Sequence, residues 1–365
     1  MSTAGPILQV DDLHKHFPVG QGLLASLSRR SRKLVRAVDG VSFSVDRGEI
    51  LALVGESGSG KTTVGLNVLG LQRPTHGRIT FEGHNVIAWS RGQESFPSEA
   101  AGKGDGLSPS EQIRLLRRRA QMVFQDPYEA LNPRQTIYDI IAEPLEIHHM
   151  AASKQDKEGR IRTALETCGL TPADHFWDRY PAGLSGGQRQ RVVIAGALVL
   201  EPYLLVADEP VSMLDVSIRA EILNLLRALR TERQITILYT THDLATAGFF
   251  TDRMAVMYLG RIVEIGPTHQ VLTEPQHPYT RSLLSVVPVP NPRRRRQRVI
   301  LQGEIPNPID IPRGCRFHPR CPEVLPECLE VDPQLQQAGK AHAAACIRQR
   351  GYDVSVPTQA TARPA

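Results

Sequence analysis

The sequence lacks the long apolar runs that a membrane-spanning helix needs. No stretch of its 365 residues approaches the ~18 apolar residues of such a span, and the nearest, Val192 to Leu200, is ended by Glu201. The chain is therefore not expected to form a pore by itself. Sustained heptads are also missing, which argues against a long coiled-coil arm. Only one phosphate-loop pattern occurs, so two linked copies of one nucleotide-binding unit are excluded. Cysteine is scarce, with 5 in all, and none is paired as C-x₂-C. No signal peptide is evident, which points to a reducing cytosol where structural disulfides seldom persist. The net charge of +5 gathers in Arg29 to Arg36, Arg114 to Arg119 and Arg293 to Arg298. Without a nucleic-acid motif, such clusters read as solvated faces or basic linkers, although anionic headgroups could meet them.

Against these absences stands Gly55 to Thr62, GESGSGKT, the pattern G-x-x-x-x-G-K-[ST]. Ile50 to Val54 before it reads as a buried strand, and Thr62 onward as a helix through Leu69. Gly55, Gly58 and Gly60 are expected to take backbone angles closed to other residues. Successive amides could then curl around phosphate oxygens at the positive end of the helix. Lys61 would reach β- and γ-phosphates, and the Thr62 hydroxyl would help hold Mg²⁺, which prefers hard oxygen ligands. Downstream, Tyr203 to Glu209, YLLVADE, delivers two carboxylates to a strand's C-terminal end, the ligand-binding edge of an α/β sheet. Asp208 is expected to hold Mg²⁺ through water. Glu209 is placed to polarise the water that attacks a γ-phosphate, and Pro210 ends the strand.

Between these two pieces lies LSGGQRQR, Leu184 to Arg191, and here the chain resembles the ATP-binding subunits of ABC transporters over about residues 7 to 350. The resemblance implies that Ser185, Gly186, Gly187 and Gln188 contact the γ-phosphate of ATP bound to a partner subunit. A helix N-terminus from Gly186 to about Leu200 suits that role, presenting unpaired amides and partial positive charge to an anion. Smaller matches follow in family order. Gln125 in MVFQDP resembles the loop glutamine that joins Mg²⁺ and attacking water to the transmembrane partner. Asp215 in Ser212 to Asp215, SMLD, resembles the loop that passes signals across the dimer and is expected to cap its neighbours. Its Met213 replaces the usual alanine. His242, after the apolar strand Ile235 to Tyr239, resembles the switch histidine that orients Glu209. Phe17 falls where the family places an aromatic against adenine. Ser57, Ser59 and Thr63 complete the nucleotide-binding set that the resemblance implies. Gly196 departs from it, standing where many relatives carry arginine.

The tail narrows the subclass. HPYTRSLLSVVP at 277–288 and GEIPNPIDIPRGCRFHPRC resemble the C-terminal region of oligopeptide and dipeptide importer ATPases, segments shared with importers of nickel and of glycosidic compounds. Four cysteines crowd there, Cys315, Cys321, Cys328 and Cys346, spaced C-x₅-C-x₆-C-x₁₇-C. That spacing fits neither zinc ribbons nor the bacterial ferredoxin run. Low apolar content suggests a metal staple, and the resemblance implies a [4Fe-4S] cluster. Zinc, with His318 or His342 as substitute ligands, and reduced thiols stay open. Cys168 reads as buried.

The expected fold is α/β: a P-loop ABC-type nucleotide-binding domain over 1–273 with a helical subdomain at about 125–184. A small cysteine-bearing C-terminal domain over 274–350 and a disordered tail over 351–365 complete it. The stretch from Ser90 to Ser110 reads as a flexible insertion. The implied function is ATP hydrolysis driving peptide uptake, at the cytoplasmic face of the inner membrane. The implied partners are two transmembrane permease subunits, a second ATPase subunit and, indirectly, a solute-binding protein, with no nucleic acid. Two other readings are a soluble ABC ATPase of DNA repair or translation, and an Fe–S regulatory protein that merely binds nucleotide.

Overall fold

The computed structural model describes residues 5–19, 33–94, 107–287, 301, 303–349 and 351–353. Much of the Ser90 to Ser110 insertion, the Arg293 to Arg298 cluster and most of the 351–365 tail lie outside the described residues, as do four residues of the Arg29 to Arg36 cluster.

The core is an eight-stranded sheet in the order β11-β12-β10-β9-β3-β8-β7-β6. Its centre is β3 (Ile50–Val54), β8 (Thr236–Thr241) and β7 (Leu204–Asp208), every residue of them buried. These strands pair in parallel, and β6 (Ala120–Val123) pairs in parallel with β7. Continuous apolar runs such as ILALV and LLVAD are what a strand covered on both faces requires. On the other side β9 (Arg253–Tyr258) runs parallel to β3, and β10 (Arg261–Pro267) turns back antiparallel. A second sheet, in the order β2-β1-β4-β5, is antiparallel and built from β1 (Leu8–Pro18), β2 (Leu34–Val45), β4 (His76–Phe81) and β5 (His84–Asn85). Its Leu8, Val41 and Phe81 share an apolar cluster with Leu51, Leu53 and Leu238 of the large sheet.

Between Gln125 and Leu184 the chain is helical: Pro127–Ala130, Ile137–Ile147, Lys154–Thr167 and Asp174–Trp177. Thr136 and Asp139 close a capping box at the start of Ile137–Ile147, satisfying amides the helix cannot pair internally. Cys168 is buried, and desolvation pushes its thiol up to about 12.

The cysteine-bearing segment is continuous with the core. Strand β12 (His342–Ala344) adds to the edge of β10, and β11 (Gln336–Gly339) to β12. Phe317 and Tyr279 enter the main apolar cluster. The segment has too few apolar residues for a core of its own and so borrows the edge of the existing sheet.

Candidate functional site

The phosphate loop leaves β3 at Gly55 and enters the helix Lys61–Val68. Gly58 and Gly60 take the left-handed angles expected, with φ of +78° and +104°. Gly60 is doubly constrained, because a Cβ there would stand 2.2 Å from the Ala37 carbonyl oxygen of β2. Gly55 differs from the expectation. It has ordinary φ, and what excludes a side chain is space, since its Cβ would lie 2.3 Å from the Met257 carbonyl oxygen.

Lys61 is buried and donates to the carbonyls of Gly55 at 2.8 Å and Glu56 at 3.1 Å. Burial pulls its ammonium below lysine's ordinary range, opposed by Glu209 and Asp208. The Thr62 hydroxyl donates to Asp208 Oδ1 at 3.1 Å, and Thr240 donates to the same oxygen. Ser57 and Gly58 are exposed at the loop tip. The buried Ser59 hydroxyl has no partner among the described residues, an orphaned donor of the kind a phosphate oxygen would satisfy. The Thr63 carbonyl accepts from Asn67 within the helix.

Glu209 is the point of convergence. Its Oε2 accepts from Gln125 Nε2 at 3.3 Å and lies 3.1 Å from His242 Nδ1, while Oε1 lies 3.7 Å from Lys61 Nζ. Four residues from four separate segments thus meet at the end of β7. The backbone of Glu209 is held at φ +43°, a conformation costly for a residue with a side chain. Two hydrogen bonds secure it, its N–H donating to the carbonyl and hydroxyl oxygens of Thr240.

Ser185 is exposed at the N-cap of the helix Gly186–Leu198 and forms a capping box with Gln188: its hydroxyl accepts from Gln188 N–H, and Gln188 Oε1 accepts from Ser185 N–H. The two glycines have different constraints. A Cβ on Gly186 would meet nothing nearer than 3.6 Å, whereas one on Gly187 would collide with Ile218 Cγ2 at 2.5 Å. Gly187 therefore serves packing between helices. Ser212 donates to the Glu209 carbonyl at 3.0 Å. Asp215 takes the N-cap position of the helix Val216–Arg233, but its side chain makes no capping hydrogen bond. The expected cap does not form at this position. Phe17 is half-buried on β1 with Lys15 Nζ 4.9 Å from its ring centroid. It pairs with Val35 of the strand whose Ala37 touches the phosphate loop.

One cluster was not foreseen from sequence. Asp39 is buried, with His14 and His16 ring nitrogens 3.0 and 2.9 Å from its Oδ1 and Arg316 on Oδ2. His14 also lies 3.0 Å from Asp12. Burial opposes ionisation of Asp39, but these partners together hold its carboxyl far below the usual range. The positive charge of Arg316 already balances this carboxylate. The HKH spacing on one strand face was the only available signal, and its partner arginine lies 277 residues away.

The four C-terminal cysteines are free and line one small cavity, together with His318. Among the described residues, no three of these thiols come within 4.8 Å of one another, a closeness that His14, His16 and Asp39 do reach. His342 is not at this cavity: it is buried on β12, 2.8 Å from Glu264. Its ring is taken up by Glu264 of β10, so it does not stand as a substitute ligand at the cysteine cavity.

Residues 38–212 match the protein family described as ABC transporter, and residues 263–328 match the C-terminal region of oligopeptide/dipeptide transporters. The oligopeptide transport ATP-binding protein AppF of Bacillus subtilis is 43% identical over 93% of this chain and 96% of that protein. The dipeptide transport ATP-binding protein DppF of Haemophilus influenzae is 42% identical over 94% of this chain and 96% of its own length. A dimeric post-hydrolysis structure of the ATP-binding cassette MJ0796, bound to ADP and Pi, is 26% identical with a TM-score of 0.57, covering 72% of this chain and 98% of that one. With relatives this similar over nearly the whole chain, the protein belongs to the ABC transporter family, in the branch that carries the oligopeptide/dipeptide transporter C-terminal region.

Proposed function

We propose that this chain is the ATP-hydrolysing motor subunit of a peptide importer, working at the cytoplasmic membrane face with two permease subunits, a second ATPase subunit and a solute-binding protein. The observation that carries it is the meeting of Gln125, His242 and Lys61 on Glu209, beside the Thr62–Asp208 pair. Naming of the relatives as peptide transport proteins supports the cargo class. No helix among the described residues is long and apolar enough to cross a membrane, so the transport path would be supplied by other subunits.

In this reading Lys61 leaves the loop carbonyls for the β- and γ-phosphates, and the orphaned Ser59 hydroxyl joins the loop amides around them. The hard oxygens of Thr62 and Asp208, 3.1 Å apart, suit Mg²⁺, with Gln125 nearby; when bound, the ion supplies charge neutralisation on the phosphate oxygens. Glu209 takes a proton from the attacking water, whose oxygen bonds the γ-phosphorus as the bond to the bridging oxygen breaks; ADP leaves with that oxygen, and the proton is passed on to the released phosphate. His242 and Gln125 fix the orientation of Glu209. Ser185 to Gln188 would meet the γ-phosphate in a partner subunit, closing a dimer that hydrolysis reopens.

We also infer a domain division: an ATPase unit over 1–273, a helical subdomain at about 125–184, and 274–350 as a region specific to this branch. We infer a [4Fe-4S] cluster on the four thiols from the resemblance of this tail, and against one zinc ion from their spacing: zinc's thiolate ligands stand about 3.8 Å apart in a tetrahedral site, closer than any three of these thiols among the described residues. Burial pushes Cys315 up to about 12 and Cys321 up to about 11, so a bound metal would displace their protons. Iron analysis and visible absorption of anaerobically purified protein test this, and retention of both metal and fold in Cys321→Ser would sink it.

For the main reading, the chain is co-expressed with its neighbouring membrane subunits and binding protein, and candidate peptides are screened for stimulation of ATP hydrolysis. Stimulation supports the importer motor and its cargo; a response only to another solute, such as nickel or a glycoside, overturns the peptide assignment.

A further inference from the structure

The phosphate loop is gripped from outside. Glu56, its second residue, receives a two-pronged contact from Arg320: Nη1 to Oε2 at 2.8 Å and Nη2 to Oε1 at 3.1 Å. The backbone N–H of Glu56 donates to the Tyr279 hydroxyl at 3.1 Å. Its carbonyl accepts from Lys61 and from the Ser59 N–H. Both side-chain partners come from the C-terminal part of the chain, Arg320 lying 264 residues from Glu56.

Arg320 is itself fixed. It is buried, directly precedes Cys321, and lies over the Tyr258 ring at 5.9 Å. Tyr258, Tyr279 and Phe317 pack as a trio with ring centroids 4.8 to 5.3 Å apart. A guanidinium fork pre-set in this way loses little freedom on binding a carboxylate.

The chemistry of the loop makes the contact consequential. A loop built to take up a polyphosphate carries a carboxylate, which repels that ligand. A guanidinium bound at both oxygens cancels the charge and also holds Glu56 against the C-terminal segment.

We propose that Arg320 is a positioning residue of the phosphate loop, which neutralises Glu56 and presets the loop for ATP from the cysteine-bearing segment. The proposal rests on the ATP-site reading above. It assigns a nucleotide-binding consequence to a region outside the ATPase motifs, and it predicts that removing two charges does less harm than removing one.

The test measures ATP affinity of the full-length chain in Mg²⁺ with a non-hydrolysable ATP analogue, alongside KM and kcat for ATP and thermal melting. Arg320→Ala should weaken ATP binding and raise KM about tenfold, with a smaller change in kcat, because an unmatched carboxylate now faces the phosphates. Adding Glu56→Gln to Arg320→Ala should restore the affinity to within about threefold of the parent, an effect that a purely structural role does not produce. Arg320→Lys keeps the charge and much of the packing but loses the fork, and should weaken ATP about threefold. Affinity unchanged in Arg320→Ala, or a double variant as weak as Arg320→Ala alone, overturns the proposal. Should Arg320→Ala fail to fold, unchanged affinity in folded Arg320→Lys overturns it instead. Equal ATP binding by the parent and Lys61→Ala would fail the underlying site reading, a result distinct from either.

Discussion

The nucleotide face and the cysteine-bearing segment reach order by opposite means. At the nucleotide face, three buried strands deliver Gly55, Asp208 and His242 to one edge, and apolar burial supplies the rigidity. The segment after Pro278 buries a few side chains such as Tyr279 and Phe317 against that core and is otherwise pinned by charged side chains. Arg316 reaches Asp39, Arg320 reaches Glu56, Arg261 reaches Asp332, and Arg281 and Arg348 share Glu323. Exposed ion pairs answer to salt and pH more than packing does, and here those are the pairs of Arg281 and Arg348 with Glu323, while Asp39–Arg316 is buried. The motor edge is thus joined to the segment by pairs with buried arginines, and the exposed pairs farther along are the part that the solution can loosen.

The contrast can be broken at either end, and the largest effect belongs to chemistry. Glu209→Gln keeps shape and ATP binding but should cut turnover by roughly 10²- to 10⁴-fold; single-turnover phosphate release checks it, and undiminished turnover would remove Glu209 from its role. Next comes the rigid edge itself. Gly60→Ala forces a side chain into a φ of +104° and onto the Ala37 carbonyl, so it should cost at least about 2 kcal/mol of stability and impair nucleotide binding. Denaturant unfolding and ATP titration report the two losses separately.

The charged side sharpens the comparison through pH. Its hydrogen bond to Asp39, opposed by burial, raises His14 above its ordinary value. A raised histidine contributes stability that is complete below its unfolded pKa and disappears as pH climbs through the folded one. The melting temperature should therefore fall by about 2 °C more between pH 6 and pH 9 in the parent than in His14→Gln. The smallest effect is ionic strength. At about 1 M salt the screening length is about 3 Å, and hydrogen exchange should rise around Arg281, Glu323 and Arg348 while β3, β7 and β8 stay protected.

Legibility in the sequence divides along the same line. The phosphate loop, YLLVADE and the signature helix were readable because each is contiguous: local spacing fixes a strand end, a turn or a helix start. Even there, the reasons for Gly55 and Gly187 were hidden, since neighbours from Met257 and Ile218 decide them. None of the Arg316, Arg320 or His342 contacts was visible. A charged residue in a Pro-rich stretch carries no periodicity that names a partner hundreds of positions away.

The way β12 lies along β10 has a further meaning for anyone shortening this protein. Ala343 and Ala344 occupy hydrogen-bonding positions opposite Ile265 and Glu264. Cut away, they would leave the margin of the large sheet open to pairing with a strand from another molecule. Truncation before residue 342 would therefore bare the β10 edge as well as remove Cys346, and the apparent mass in solution, which should rise, checks it. The distal chain thus replaces the longer edge of β10 with β11, an outer strand of only four residues.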